Sequence, residues 1–223
     1  MQVTWFGHAA FGIEANNTRI LTDPYSSQIG FAPIDESFDI VTLSHHNPKY
    51  HSCLDEVRGA PHVVDGLALA RSGQVLEREN LRFGAVEVAE DEAGNGPNAM
   101  LWLEAAGLRV LHMGDCGHLP SPEQTAACGR VDVLLALAGA GPTLAIPALI
   151  GFIEALKPRL VIPMHFGLPQ LKTMTLAPVE ELERAFAARF GAEQVRRAAQ
   201  PRLLVAPPEL PAQSTLLVLP PAR

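Results

Sequence analysis

Three short segments gather the groups that could hold a cation or move a proton. HHNPKYH runs from His45 to His51, HMGDCGH from His112 to His118, and Met164–His165–Phe166 forms the third. Each follows an apolar run that reads as a strand: Ile40–Ser44, Arg109–Leu111 and Leu160–Pro163. Zinc takes neutral imidazole nitrogens and carboxylate oxygens at about 2.0–2.2 Å in a tetrahedral array. No one loop supplies enough of them, so the three strand ends must meet in space. Taken singly, His46, His51 and His62 read equally well as solvated loop histidines, and His112 as a core histidine bonded to backbone. Cys116, beside Asp115, would be a nucleophile only with a lowered pKa, and a buried thiol is the plainer reading. Gly139–Ala140–Gly141 could meet an anion at a helix start or simply make a turn. Glu180, Glu181 and Glu183 read as the wet face of a helix.

The elements that must position these groups follow from the pattern of apolar residues. Val3–Phe6, Phe11–Ala15 and Arg19–Thr22 are β-prone runs, with Asn16–Asn17 as a hairpin turn between the last two. Asp39–Ser44 is apolar enough for a strand buried on both faces. Val63–Val64, Val75–Glu77 and Leu81–Glu90 read as further strands, and the acidic, glycine-rich Glu90–Asn98 as a surface loop. Ala99–Glu104 and Leu108–Met113 flank a turn at Ala106–Gly107, and Val131–Leu137 is another buried strand. A helix capped by Thr143 carries Ile146, Leu149, Ile150, Ile153 and Leu156 on one face, tolerates Pro147 in its first turns and ends at Lys157–Pro158. Pro178 to Phe190 is an amphipathic helix closed by Gly191. Pro201–Pro211 reads as a surface connection, and Ser214–Leu219 as a last edge strand. Strands first, then alternating strands and helices, imply sheets covered by helices.

Composition sets the outer limits. The 223 residues are 48% hydrophobic and 18% charged, which suits one compact domain over 1–223 with a sizeable core. A formal charge of −7 speaks against a general nucleic-acid partner. Three scattered cysteines, Cys53, Cys116 and Cys128, make no disulfide framework and point to a reducing, cytoplasmic setting. The first residues lack the basic start and apolar stretch of a signal peptide, and no run reaches the roughly 18 apolar residues of a membrane span. Homo-oligomerisation stays open.

The ordered segments WFGHAAF, ILTDPY, the histidine-rich loop after a buried strand, LHMGD followed by Gly117–His118, and VIPMHF together resemble the metallo-β-lactamase superfamily. They are most similar to its small hydrolase-like branch related to ascorbate-6-phosphate lactonases. The resemblance spans about Gln2 to His165 and implies an α/β (α+β) fold, a four-layer αββα sandwich with the site on one edge. It also implies that His45, Asp115 and His165 are metal ligands, that His118 accompanies Asp115 in catalysis, and that His8 and Asp23 line or brace the site. The hallmark HxHxDH is broken here. Counted from the preceding strand, Asn47 replaces the second histidine, Lys49 the aspartate and Tyr50 the last histidine, while a further histidine position falls near Asn98. The acidic residue usual two places after Thr143 is Ala145.

A protein with this set is expected to hold one ion of zinc or manganese, or none. The ligands would be His45, Asp115 and His165, with Asn47 as auxiliary and His46, His51 and His112 as spare imidazoles nearby. A cation-bound water would attack an ester, lactone or phosphoester in a small-molecule substrate. The alternative is a degenerate, non-catalytic relative that binds a ligand or partner. Lys49 is expected to turn inward and pair with Asp115 as a built-in cation, with Tyr50 filling former ligand space.

Overall fold

The computed structural model describes residues 1–140 and 143–223, so Gly141 of the glycine turn lies outside the described residues. In chain order the elements are β1 (Gln2–Gly7), β2 (Ala10–Ala15), β3 (Thr18–Thr22), β4 (Ile40–Leu43), β5 (His62–Asp65), α1 (Gly66–Ser72), β6 (Leu76–Arg78), β7 (Leu81–Ala89) and β8 (Pro97–Ala105). They continue with β9 (Leu108–His112), α2 (Pro122–Ala127), β10 (Val133–Leu137), α3 (Ile146–Leu156), β11 (Leu160–Met164), α4 (Val179–Phe190), β12 (Val195–Arg197), β13 (Arg202–Leu204) and β14 (Thr215–Val218).

They form a mixed α/β fold of two sheets and four helices. The six-stranded sheet has the order β13-β1-β2-β3-β4-β5, and the eight-stranded sheet β12-β14-β11-β10-β9-β8-β7-β6. The expected hairpins form where left-handed backbone is tolerated. Asn16 and Asn17 have φ of 51° and 61°, and Ala106 and Gly107 have 50° and 76°, the signature of the tight turns that match strand twist. β4 pairs in parallel with both β3 and β5, which explains its unbroken apolar run. β10 is likewise buried at all five positions between parallel neighbours β9 and β11.

One continuous core joins both sheets: Val3, Trp5 and Phe11 of the first pack with Phe83, Leu111, Leu135 and Ile162 of the second. A second cluster covers the other face of the six-stranded sheet, where Phe6, Leu21 and Val41 meet Tyr25, Phe31 and Phe38 from the segment after β3. Among the described residues, no helix is long and apolar enough to cross a membrane.

Three details depart from the expectations drawn from the sequence. β14 is interior, flanked by β11 and β12, because the three-residue β12 takes that edge of the eight-stranded sheet. α3 begins at Ile146 with Ala145 at its cap and no side-chain cap bond, so Thr143 is not the cap. α2 was not foreseen, although Ser121 and Gln124 make a reciprocal capping box at its start.

What positions the site is the common rim. β3 and β4 run parallel in one sheet, β9, β10 and β11 in the other, and their C-terminal ends carry Asp23, His45, Asp115 and His165. β8 runs antiparallel to β9, so Asn98 at its start reaches the same rim, as does Glu90 just after β7. β1 delivers His8 in the same way.

Candidate metal centre

The structure brings His45, Asp115 and His165 together. His45 Nε2 stands 4.0 Å from Asp115 Oδ2, and His165 Nε2 stands 3.4 Å from Asp115 Oδ1. His51 joins them, with Nε2 at 2.9 Å from Asp115 Oδ2 yet off the line of a hydrogen bond. His8 completes the group, its ring 4.2 Å from that of His165 and 5.1 Å from that of His51. Two triplets each bring three ligand atoms within 4.8 Å of one another: His8, His51, His165, and His45, His51, Asp115.

Local structure fixes each ring. His8 and His165 both hold left-handed backbone, φ 48° and 54°, where non-glycine residues are uncommon and strain marks function. They lock each other: the His165 N–H donates to His8 O at 3.0 Å, and Trp5 Nε1 donates to the same oxygen at 3.1 Å. Phe166 then packs on Trp5, ring centroids 5.0 Å apart, which pins the end of β11 to β1. Asp23, with φ 37°, accepts from the Ser44 N–H, the Ser44 hydroxyl and His51 Nδ1 at 2.7, 2.5 and 2.9 Å.

The hydrogen bonds also set the tautomers. Asp23 is an acceptor for Ser44 and His51, so His51 carries its proton on Nδ1 and turns Nε2 to Asp115. His45 Nδ1 faces the Ser44 oxygen at 3.0 Å and Asn98 Oδ1 at 3.1 Å. Ser44 already donates its proton to Asp23, so His45 also protonates Nδ1 and bares Nε2. A histidine that donates one N–H to a carboxylate or carbonyl and aims the other nitrogen inward is the arrangement of a metal ligand.

Electrostatics agree. Burial alone would raise the Asp115 carboxyl, but His51 and His165 outweigh it and hold the group well below the usual carboxylate range. Burial opposes charge on His51, yet Asp115 and Asp23 together raise its imidazolium to about 10, so a cation held through Nε2 would take the place of the second proton. His8, His45 and His165 are lowered, first by burial and then by neighbouring histidines, His165 and His51 acting on His8 and His51 on the other two. Buried polar atoms normally find partners. Here both nitrogens of His8, His45 Nε2, His51 Nε2, Asp115 Oδ1 and His165 Nδ1 have none. So many unpartnered atoms in one cluster of imidazoles and a carboxylate fit a divalent cation.

Other expected residues take different places. Lys49 is exposed, its ammonium 5.1 Å from the Tyr50 ring, and the partners of Asp115 are histidines, so the expected Lys49–Asp115 pair does not form. Asn47 acts through its backbone: its carbonyl accepts from the N–H groups of Tyr50, His51 and Ser52 at 3.1, 2.8 and 3.0 Å. That turn carries His51, rather than Asn47 or Tyr50, into the centre; the half-buried Tyr50 ring stops 5.6 Å from His8. Asn98 spends Oδ1 on the Asp115 N–H and His45, so it braces two ligands. His112 donates from Nε2 to Ala9 O and accepts the Gly114 N–H, a purely structural pair of bonds. His118 spends both ring nitrogens on backbone: its Nε2 accepts the Ala89 N–H and its Nδ1 donates to Leu119 O. His46 is exposed. Burial pushes the Cys116 thiol up to about 11, which removes it as a nucleophile.

Glu90 went unnoticed in the sequence. Its Oε1 lies 3.6 Å from His45 Nε2, and it shares a surface cleft with Asp91, Asn95, Gly96, Asp115 and Thr143.

Comparison with known proteins gives consistent relatives. The family described as the beta-lactamase superfamily domain matches residues 2–165. A UPF0173 protein of Pyrococcus furiosus is 29% identical over 209 residues, 85% of this chain and 92% of that one. A UPF0173 metal-dependent hydrolase of Thermoplasma acidophilum is 24% identical, covering 75% of this chain and 84% of the relative. Among solved structures, a metallo-beta-lactamase superfamily protein of Thermotoga maritima superposes with a TM-score of 0.77 at 27% identity, over 98% of this chain and 97% of that one.

Proposed function

The chain belongs to the beta-lactamase superfamily domain family, and we propose that it is a metal-dependent hydrolase whose cation is held at His51, which stands in one triplet with His8 and His165 and in another with His45 and Asp115. The observation that carries this is the set of buried, unpartnered nitrogens and oxygens that both sheets bring into two overlapping triplets. The names of relatives from Thermoplasma acidophilum and Archaeoglobus fulgidus, both metal-dependent hydrolases, agree with it. A bound divalent cation lowers the pKa of its water and polarises the bond to be cleaved. Asp115 and the histidines hold that cation, Asp23 and Asn98 fix their rings, and the cleft at Glu90 and Thr143 admits the substrate.

The substrate class follows from the wall of that cleft. Besides Asp115, whose charge the cation offsets, it carries Glu90 and Asp91 and, among the described residues, no basic side chain. An anionic phosphomonoester would meet like charges at the entrance, so an uncharged ester or lactone is favoured.

The test is a panel of p-nitrophenyl esters, lactones and p-nitrophenyl phosphate, assayed with Zn²⁺ or Mn²⁺ and after chelation. Hydrolysis of an ester or lactone, lost on chelation and in Asp115→Ala, supports the reading. Activity that survives exhaustive chelation overturns it. Protein that binds no divalent cation at all would instead be the degenerate ligand-binding relative.

A further inference from the structure

The cleft beside Asp115 holds more negative charge than the metal centre uses. Glu90 stands outside both triplets, its Oε1 3.6 Å from His45 Nε2, and Asp91 follows it in the cleft wall. His45 keeps its proton on Nδ1, so its Nε2 offers Glu90 no hydrogen. Among the described residues, neither Glu90 nor Asp91 pairs with an arginine or lysine. Acids elsewhere on the same sheet are paired: Glu87 of β7 takes Arg71, and Glu104 of β8 takes Arg82 and Arg109.

Both carboxylates are fixed in place. The Glu90 N–H donates to Asn95 O and Gly96 O, at 3.0 and 2.8 Å, and its carbonyl lies so close to Gly117 that a Cβ there would stand 1.7 Å from it. Gly96, at φ 65°, leaves the side chain its space: a Cβ at that position would come within 2.7 Å of Glu90 Cδ. Asp91 accepts the Asn95 N–H and its side-chain amide at 2.8 and 2.9 Å. A third group points to a ligand. Thr143 lines the same cleft, is only 7% exposed, and its hydroxyl has no partner. The Leu144 N–H donates to Cys116 O at 3.2 Å, which holds Thr143 next to Asp115. A buried hydroxyl without a partner is costly, so it awaits one.

We propose that this cleft binds a primary ammonium group of the substrate, with Glu90 and Asp91 supplying the charge and the Thr143 hydroxyl accepting one N–H. The substrate is then an ester or lactone, uncharged at the bond cleaved, that carries an amino group a short chain away. The inference rests on the hydrolase reading for the bond and on the cleft alone for the ammonium. Two unpaired carboxylates at the mouth of a site attract a cation and draw it in. An ammonium brings N–H donors and no acceptor, which suits a wall of acceptor oxygens.

Binding and turnover test it separately. Backbone amide NMR signals of the protein in Zn²⁺ buffer are followed as β-alaninamide, a cation, or butyramide, its neutral isostere, is added. The cation should shift the signals of Glu90, Asp91, Gly96 and Thr143 and bind at least about 10-fold more tightly, as charge-assisted hydrogen bonds allow. Hydrolysis of p-nitrophenyl β-alaninate is then compared with that of p-nitrophenyl butyrate. The ratio of kcat/KM, cationic over neutral, should reach about 10 and fall toward unity in Glu90→Gln, and Thr143→Val should lower it several-fold. A loss common to both esters cancels in the ratio. Glu92→Gln removes an exposed charge outside the cleft and should leave the ratio within about two-fold. Equal binding of the two amides overturns the proposal, as does equal loss of the ratio in Glu90→Gln and Glu92→Gln, which would reduce Glu90 to part of an acidic field. Selective binding of the cation with neither ester hydrolysed keeps the ammonium site and defeats the hydrolase reading. Hydrolysis with no preference for charge does the reverse.

Discussion

Asp23 touches neither Nε2 of the His45 and His51 pair proposed to face a cation, yet it decides where both point. It receives three donors, two from Ser44 and one from His51, inside the protein. Asp23→Asn keeps the volume but replaces one acceptor oxygen with a donor, which opposes His51 Nδ1–H or the Ser44 hydroxyl. Metal affinity measured by calorimetry should fall about 10- to 100-fold while the far-ultraviolet circular dichroism stays unchanged. An unchanged affinity would mean that Asp23 is merely a turn residue. Lys49 gives the converse prediction. It is exposed and pairs with no carboxylate at the centre, so Lys49→Met should shift unfolding stability by no more than about 0.5 kcal/mol. His45, Asp115 and His165 could be read from the sequence because each stands at or just past a strand end, where strand direction fixes its path. His51 could be read only as a spare imidazole, since the turn closed on the Asn47 carbonyl moves it into the site, and counting from the strand selects Tyr50 instead. Glu90 was hidden because an acid in an acidic loop carries no signal until the loop's path is known.

Elements were legible in proportion to how much apolar surface they bury. β4, β10, β11 and α4 declare themselves by pattern, whereas β12 and β13 are three residues long, largely exposed and without alternation. Two glycines show what separates a positioning element from a filler. Gly139, just after β10, packs so tightly that a Cβ would stand 2.1 Å from His165 O. Gly139→Ala must push that backbone away, costing about 1–3 kcal/mol and weakening metal binding through His165. Gly151 lies within α3, and a Cβ there meets nothing within 4 Å. Gly151→Ala should therefore raise stability by about 0.5–1 kcal/mol in urea unfolding, through lower chain entropy and better helix propensity, with metal affinity unaltered. If Gly139→Ala binds metal as tightly as wild type, the end of β10 is not what holds His165 in place.

At the scale of the molecule, the proposed ligands come from opposite halves of the sandwich. His8, His45 and His51 follow strands of the six-stranded sheet; Asp115 and His165 follow strands of the eight-stranded one. A cation at this rim would tie the two sheets together at the end where unpartnered polar atoms and left-handed backbone weaken the join. The unfolded chain cannot reproduce such a site, because its ligands lie far apart in sequence, so binding energy becomes folding energy. At a free metal concentration about 100 times the dissociation constant, the gain is about 2.7 kcal/mol. For a chain of this length that corresponds to roughly 5–10 °C in the melting midpoint. Thermal unfolding followed with Mn²⁺ or Zn²⁺ and then with excess chelator should show that shift and its reversal. Asp115→Ala, which removes the carboxylate facing ligands from both sheets, should melt at the same temperature in both conditions. A cation-dependent shift that persists in Asp115→Ala would place the bound metal elsewhere on this acidic chain, and the rim would then be held by the core contacts of Trp5, Phe11 and Phe166 alone.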